Sequence, residues 1–123
     1  MYPSGRWRGY WEQAVYGRQT MRDLVLRFSA GQIEGEGVDI IAPFTFHGEY
    51  DERGNVVLVK QYLNRHQVLY RGSYDGEGTI FGEWSIGEAW RGPFALSPER
   101  HEISEDVPIL AISAVPPGGE IRE

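Results

Sequence analysis

The chain has no cysteine among its 123 residues. A disulfide framework and a thiolate metal site are therefore excluded, and packing and strand pairing must supply the stability. Positive charge is also scarce: 12 Lys and Arg stand against 18 Asp and Glu, a net charge of −6 with a pI near 5.1. Nucleic-acid affinity rests mostly on cationic neutralisation of phosphates, so neither nucleic acid nor an anionic membrane surface is an expected partner. No apolar run approaches the length of a bilayer span, and the opening Met1-Tyr2-Pro3-Ser4-Gly5-Arg6 lacks the apolar stretch of a signal peptide. A soluble, cytoplasmic protein is the expectation. Residues 5–96 also lack the apolar spacing of three and four that a helix needs, apart from a weak instance across Gly87-Glu88-Ala89-Trp90.

What is present is glycine, aromatics and a repeat. Sixteen glycines accompany four Trp, seven Tyr and five Phe, a mixture suited to tightly turning strands with rings packed against glycine. The segment Phe46-His47-Gly48-Glu49-Tyr50-Asp51-Glu52-Arg53-Gly54-Asn55-Val56 returns 24 residues later as Tyr70-Arg71-Gly72-Ser73-Tyr74-Asp75-Gly76-Glu77-Gly78-Thr79-Ile80. Gly31-Gln32-Ile33 is a fainter third copy of the second half. Each unit reads as a strand, a turn and the start of the next strand. Period-two alternation predicts strands near 6–15, 21–29, 32–40, 43–51, 55–63, 66–75, 79–86 and 90–96, joined by turns rich in Gly, Asp and Asn. The expectation is an all-β, eight-stranded antiparallel up-and-down β-barrel over residues 5–96, followed by a C-terminal tail over 97–123.

Parity separates the two faces. One carries Leu24, Leu26, Phe28, Ile33, Phe44, Phe46, Tyr50, Val56, Leu58, Tyr62, Val68, Tyr70, Tyr74, Ile80, Trp84, Phe94 and Leu96, interleaved with glycine. The other carries mostly Glu, Arg, Thr, Ser and Gln and faces solvent.

At the start of the first strand, Gly5-Arg6-Trp7 or Gly9-Tyr10-Trp11 resembles the Gly-x-Trp that opens the first strand of lipocalins, avidins and related calycin barrels. The resemblance implies an antiparallel barrel with a small-molecule pocket. It also implies that Trp7 or Trp11 closes the barrel floor under an arginine from a late strand, for which Arg91 is the best-placed counterpart and Arg71 a weaker one. A rival likeness comes from Tyr70-x-Gly72-x-Tyr74-Asp75-Gly76-x-Gly78 with Gly82-x-Trp84. That stretch looks partly like a membrane-occupation-and-recognition-nexus repeat, which builds an open ribbon.

Chemistry is expected where polar groups interrupt the inner face. Lys60 shares parity with Val56, Leu58 and Tyr62, and a buried ammonium must be paired, neutralised or placed at the rim. Asp39 is its natural partner. Tyr50, Tyr62, Tyr70 and Tyr74 can add hydroxyls, His66 an imidazole and Trp84 a flat wall, and Asp39, Tyr50, Lys60, Tyr62, Tyr70 and Trp84 form the candidate ligand-binding set. The alternative is a structural Lys–Asp or Lys–Tyr contact at the rim, with the interior filled by side chains. His47 faces outward, His66 belongs to a turn and His101 to an acidic stretch, so no metal set of regular spacing arises and no cofactor is expected. Nor is there a Gly-x-Ser-x-Gly elbow.

Three functions are open at this point: binding of a hydrophobic or aromatic small molecule in the lumen, isomerase or cyclase chemistry by Lys60, Asp39 and the tyrosines, or a structural or protein-interaction module with a filled barrel. Two further features point outward. Val38, Val57, Val59, Leu69 and Phe81 interrupt the polar face, and an apolar run, Val107-Pro108-Ile109-Leu110-Ala111-Ile112, lies in the tail. Val57, Val59, Leu69 and Phe81 are the candidate interface of a homo-oligomer, with a dimer the expected form.

Overall fold

The structure, a computed structural model, describes residues 2–99. Eight strands, β1 (Gly5–Gln13), β2 (Gly17–Ser29), β3 (Gln32–Val38), β4 (Pro43–Tyr50), β5 (Asn55–Tyr62), β6 (Gln67–Tyr74), β7 (Ile80–Ile86) and β8 (Trp90–Pro98), pair antiparallel in chain order. The sheet closes where β8 returns to β1, from Trp7 opposite Pro98 to Trp11 opposite Phe94. That closure rules out the open ribbon and leaves no unpaired sheet edge among the described residues. No helix among these residues is long and apolar enough to cross a membrane.

The repeat corresponds to one turn made twice. Asp51 Oδ1 accepts from the N–H groups of Arg53 and Asn55, both at 2.9 Å, and Asp75 Oδ1 accepts from those of Glu77 at 2.6 Å and Thr79 at 3.1 Å. The Asn55 side-chain amide, donating to Asp51 Oδ2 at 2.9 Å, and then the backbone bonds hold the Asp51 carboxyl below the usual aspartate value, and the backbone bonds do the same for Asp75. Gly54 and Gly78, matched by the repeat, have φ of 88° and 108°, a region where a side chain would be strained.

Hairpin order sends alternate turns to opposite ends of the barrel. One end, the base, carries the turns after β2, β4 and β6 together with residues 2–4. The other, the mouth, carries the turns after β1, β3, β5 and β7. The base is filled. Tyr2 stacks on Phe28 at 4.8 Å and meets Tyr50 and Tyr74 edge-on at 5.2 and 4.9 Å, so the repeated tyrosines converge on one N-terminal ring. Trp7 packs beside Phe28 and donates to the Pro3 carbonyl at 2.8 Å. Above this layer Leu26, Ile33, Phe46, Leu58, Ile80 and Leu96 are buried in one continuous core.

The inner face follows the expected parity except near the start of β2. That strand begins at Gly17, four residues before the expected position 21, and a bulge lies between Arg22 and Val25. Asp23 adopts φ of 54° there, so Met21 and Leu24, although three apart, both point inward and are buried. On the outer face Val59 pairs with Leu69, Val57 lies opposite Arg71 and Phe81 opposite Ser73. Phe81 is 50% exposed. Beyond Glu99, the expected tail and its apolar run lie outside the described residues.

Candidate functional site

The barrel is open only part of the way in from the mouth. A cavity of about 230 Å³ occupies that end, with Trp11, Tyr62, Val68, Tyr70 and Trp84 reaching it from the strands and Tyr16, Ile41, His66 and Trp90 in or next to the mouth turns. Aromatic rings make up most of the wall.

Trp84 shows how the wall is built. Its indole extends from β7 across β8 and donates to the Glu12 carbonyl of β1 at 2.8 Å. It can cross because the residue opposite it is Gly92, where a Cβ would come within 2.8 Å of the indole nitrogen. Trp11 stands edge-on to Trp84, with ring centres 6.1 Å apart.

Beneath the cavity lies a polar cluster whose two charged members are sealed from water. Lys60 Nζ donates to Asp39 Oδ2 at 2.6 Å and to the Tyr70 hydroxyl at 3.1 Å, and both charged side chains are 0% exposed. Asp39 Oδ2 also accepts from the Tyr62 hydroxyl at 2.7 Å and Trp11 Nε1 at 3.1 Å, while Oδ1 accepts from the Ile41 N–H at 2.9 Å. Four donors therefore hold one carboxylate. The rest of the ammonium faces aromatic rings, with the Phe44 centroid 4.3 Å away and that of Tyr62 4.7 Å away.

Burial and pairing oppose each other in this cluster. Burial pushes the Lys60 amine down from 10.5 to about 8, and the charge and hydrogen bond of Asp39 keep it from falling further. Burial pulls the Asp39 carboxyl up, but the Lys60 charge and the bonds from Lys60, Tyr62 and Ile41 outweigh it, leaving the carboxyl below its ordinary 3.8. Burial first, and then the Asp39 carboxylate, raise both Tyr62 and Tyr70 above the usual phenol value. At neutral pH the cluster is an ion pair flanked by two protonated phenols.

The candidate ligand set divides three ways. Tyr62, Tyr70 and Trp84 line the cavity. Asp39 and Lys60 lie beneath it and are not part of its wall. Tyr50 belongs to neither group: it packs on Tyr2 at the base, and its β5 partner Val56 precedes Lys60 by four residues, about 13 Å of strand. Arg91 also departs from the expectation. It shares the outward parity of Pro93 and Ala95, is 54% exposed and lies 3.6 Å from Glu83, so it covers neither tryptophan. Arg71 is exposed as well. Trp7 lies at the base, whereas Trp11 forms part of the cavity wall at the opposite end.

Tyr16, Ile41 and Trp90 fall outside the expected ligand set, and the turn that holds His66 lies at the mouth. Hairpin order could have found them, since the turns after odd-numbered strands must share the end that holds Tyr62. Among the described residues no group of three His, Asp or Glu side chains is arranged to hold a metal. No family model, curated protein or solved structure matches the chain.

Proposed function

We propose that the protein binds a small, flat, largely apolar molecule in the mouth of its barrel. The observation that supports this best is the aromatic cavity of about 230 Å³ over a buried Lys60–Asp39 ion pair. Pockets of this kind, apolar with a few placed polar groups, are the usual form of a small-ligand site. The volume holds roughly ten non-hydrogen atoms, so a fused bicyclic compound is the largest that fits without projecting from the mouth. Acid–base catalysis by Lys60 and Asp39 is the weaker reading, because both are sealed from the cavity and would have to move to touch a substrate.

Titration with tetralin, a fused bicyclic hydrocarbon, tests the proposal. Trp11, Trp84 and Trp90 line the cavity, so saturable binding should change indole emission. Val68→Trp should plug the cavity and abolish the change while circular dichroism stays that of the barrel. Absence of saturable binding, or binding indifferent to Val68→Trp, would overturn the proposal.

We further propose that the outer patch of Val57, Val59, Leu69 and Phe81 packs against a second copy of the chain. Sedimentation should then show a dimer at micromolar concentration that Phe81→Glu converts to monomer. A monomeric native protein refutes the proposal.

A further inference from the structure

Two donor hydrogens of the polar floor meet no oxygen or nitrogen acceptor among the described residues. One is the third hydrogen of the Lys60 ammonium, which faces the Phe44 and Tyr62 rings. The other is the Tyr70 hydroxyl proton, the one of the two that belongs to a residue lining the cavity. Trp11 Nε1 and the Tyr62 hydroxyl both donate to Asp39, and Trp84 Nε1 donates to the Glu12 carbonyl. The Tyr70 hydroxyl accepts from Lys60, but its own proton meets no acceptor among the described residues. Its position along the barrel fixes its direction. Tyr70 starts on β6 two residues deeper than Val68, yet its oxygen reaches the amine of Lys60, the residue paired with Val68. The ring therefore points from the core toward the mouth, with the hydroxyl at its mouthward end, and Tyr70 is one of the residues that line the cavity.

We propose, building on the lumen-binding reading above, that the ligand is a neutral aromatic carbonyl compound whose oxygen enters first and accepts the Tyr70 hydroxyl proton. Three observations favour this class over its neighbours. A hydrogen bond from an ammonium to the phenol oxygen polarises the O–H and makes it a stronger donor, which suits an acceptor oxygen. The two charges beneath the floor neutralise each other at 2.6 Å, so a ligand of either charge would lose its hydration without gaining a counter-ion. Both oxygens of Asp39 are already engaged, so a ligand N–H finds no carboxylate to meet. The indoles, with their N–H groups occupied, offer ring surface alone and suit a flat body behind the carbonyl.

Lys60 and Asp39 are then positioning residues. They hold the Tyr70 hydroxyl at one place and keep its oxygen occupied as an acceptor, which leaves it only the role of donor.

A matched set of bicyclic probes tests the inference by calorimetry: 1-tetralone, tetralin, 1-aminotetralin and tetralin-1-carboxylate. One well-placed hydrogen bond should make 1-tetralone bind about tenfold tighter than tetralin, and both charged analogues should bind more weakly than tetralin. In Tyr70→Phe the preference for the ketone should fall to within about twofold while tetralin binds as before. A second measurement needs no variant: bound to the native protein, the carbonyl stretch of isotopically labelled 1-tetralone should lie lower than in an alkane solvent. Equal binding of 1-tetralone and tetralin, a preference that survives in Tyr70→Phe, an unshifted carbonyl stretch, or a charged analogue that matches the ketone would each overturn the inference and leave lumen binding standing. Failure of every probe to bind would overturn both.

Discussion

Replacing Lys60 with methionine asks how much the fold depends on its buried ion pair. The substitution keeps the length of the side chain and removes the amine 2.6 Å from Asp39 Oδ2. Trp11, Tyr62 and the Ile41 N–H would still donate to the carboxylate, but its counter-charge would be gone in a place with no access to water. Breaking a buried pair in this way costs about 3–5 kcal/mol. Asp39→Asn is no easier, since an amide NH₂ turned toward either set of donors meets an N–H or O–H that needs an acceptor. The double variant has no charge left to orphan, so it should be more stable than the sum of the single losses by about 2 kcal/mol. Urea unfolding followed by indole emission measures all four chains, provided that they share one slope against denaturant.

The pH dependence has a definite sign. In the native protein the folded Asp39 pKa lies below its ordinary 3.8, so its contribution is present above that value and lost as pH falls through the folded pKa. Without Lys60, burial is opposed only by the remaining bonds, such as those from Tyr62 and Ile41, so the carboxyl pKa rises above its value in the native protein. The stability gap between native protein and Lys60→Met therefore widens as pH rises from the acid side to neutrality. It widens again, by about 3 kcal/mol, between pH 8 and 10.5, where the folded Lys60 has lost its proton and the unfolded one has not. Tyrosine ionisation is shared by both chains and cancels in the difference. A Lys60→Met protein as stable as the native one at pH 7, or a double variant whose loss equals the sum, would refute the reasoning.

Further outcomes follow from single positions. Tyr2 has a buried hydroxyl with no partner among the described residues, so Tyr2→Phe should raise stability by about 1 kcal/mol; a loss of that size in thermal unfolding would contradict the burial. At Gly92 a Cβ would press on the Trp84 indole and the Glu12 carbonyl oxygen, so Gly92→Ala should cost about 1–3 kcal/mol, shift indole emission and impair tetralin binding, all visible in one fluorescence titration. Trp90 is 55% exposed at the rim, so Trp90→Ala should change stability by less than about 0.5 kcal/mol yet weaken tetralin severalfold; unchanged affinity would remove this ring from the site.

Parity made most of the barrel legible in the chain, because a strand reverses its side chains at every residue and a register error would move the whole apolar set to the outside. Asp39 and Lys60 stood out for the same reason: each is a charge in an otherwise apolar phase, and the structure joins them at 2.6 Å. Parity failed at Met21, where the Asp23 bulge inserts a residue that no local composition announces. It also says nothing of depth. Tyr50 and Tyr62 have the same phase, yet one packs on Tyr2 at the base and the other donates to Asp39 below the mouth.

Depth is set by strand direction, which reverses at each hairpin, and this explains why the repeat marks the end opposite the proposed site. Both of its tyrosines precede turns that follow even-numbered strands, so they are carried to the base, where one ring from residue 2 fills the space between them. The same reversals carry Trp11, Tyr62, Trp84 and Trp90, none of which belongs to the repeat, to the opposite end. A filled base and an open mouth differ in what closes them. Tyr2, Phe28, Tyr50 and Tyr74 interlock at the base. The mouth has Gly92 opposite Trp84, which lets the indole lie across β8 against the wall, and Lys60 under the floor, drawn into the pair by Asp39. The cavity follows from those two placements: one keeps the ring to the side, the other keeps the amine below.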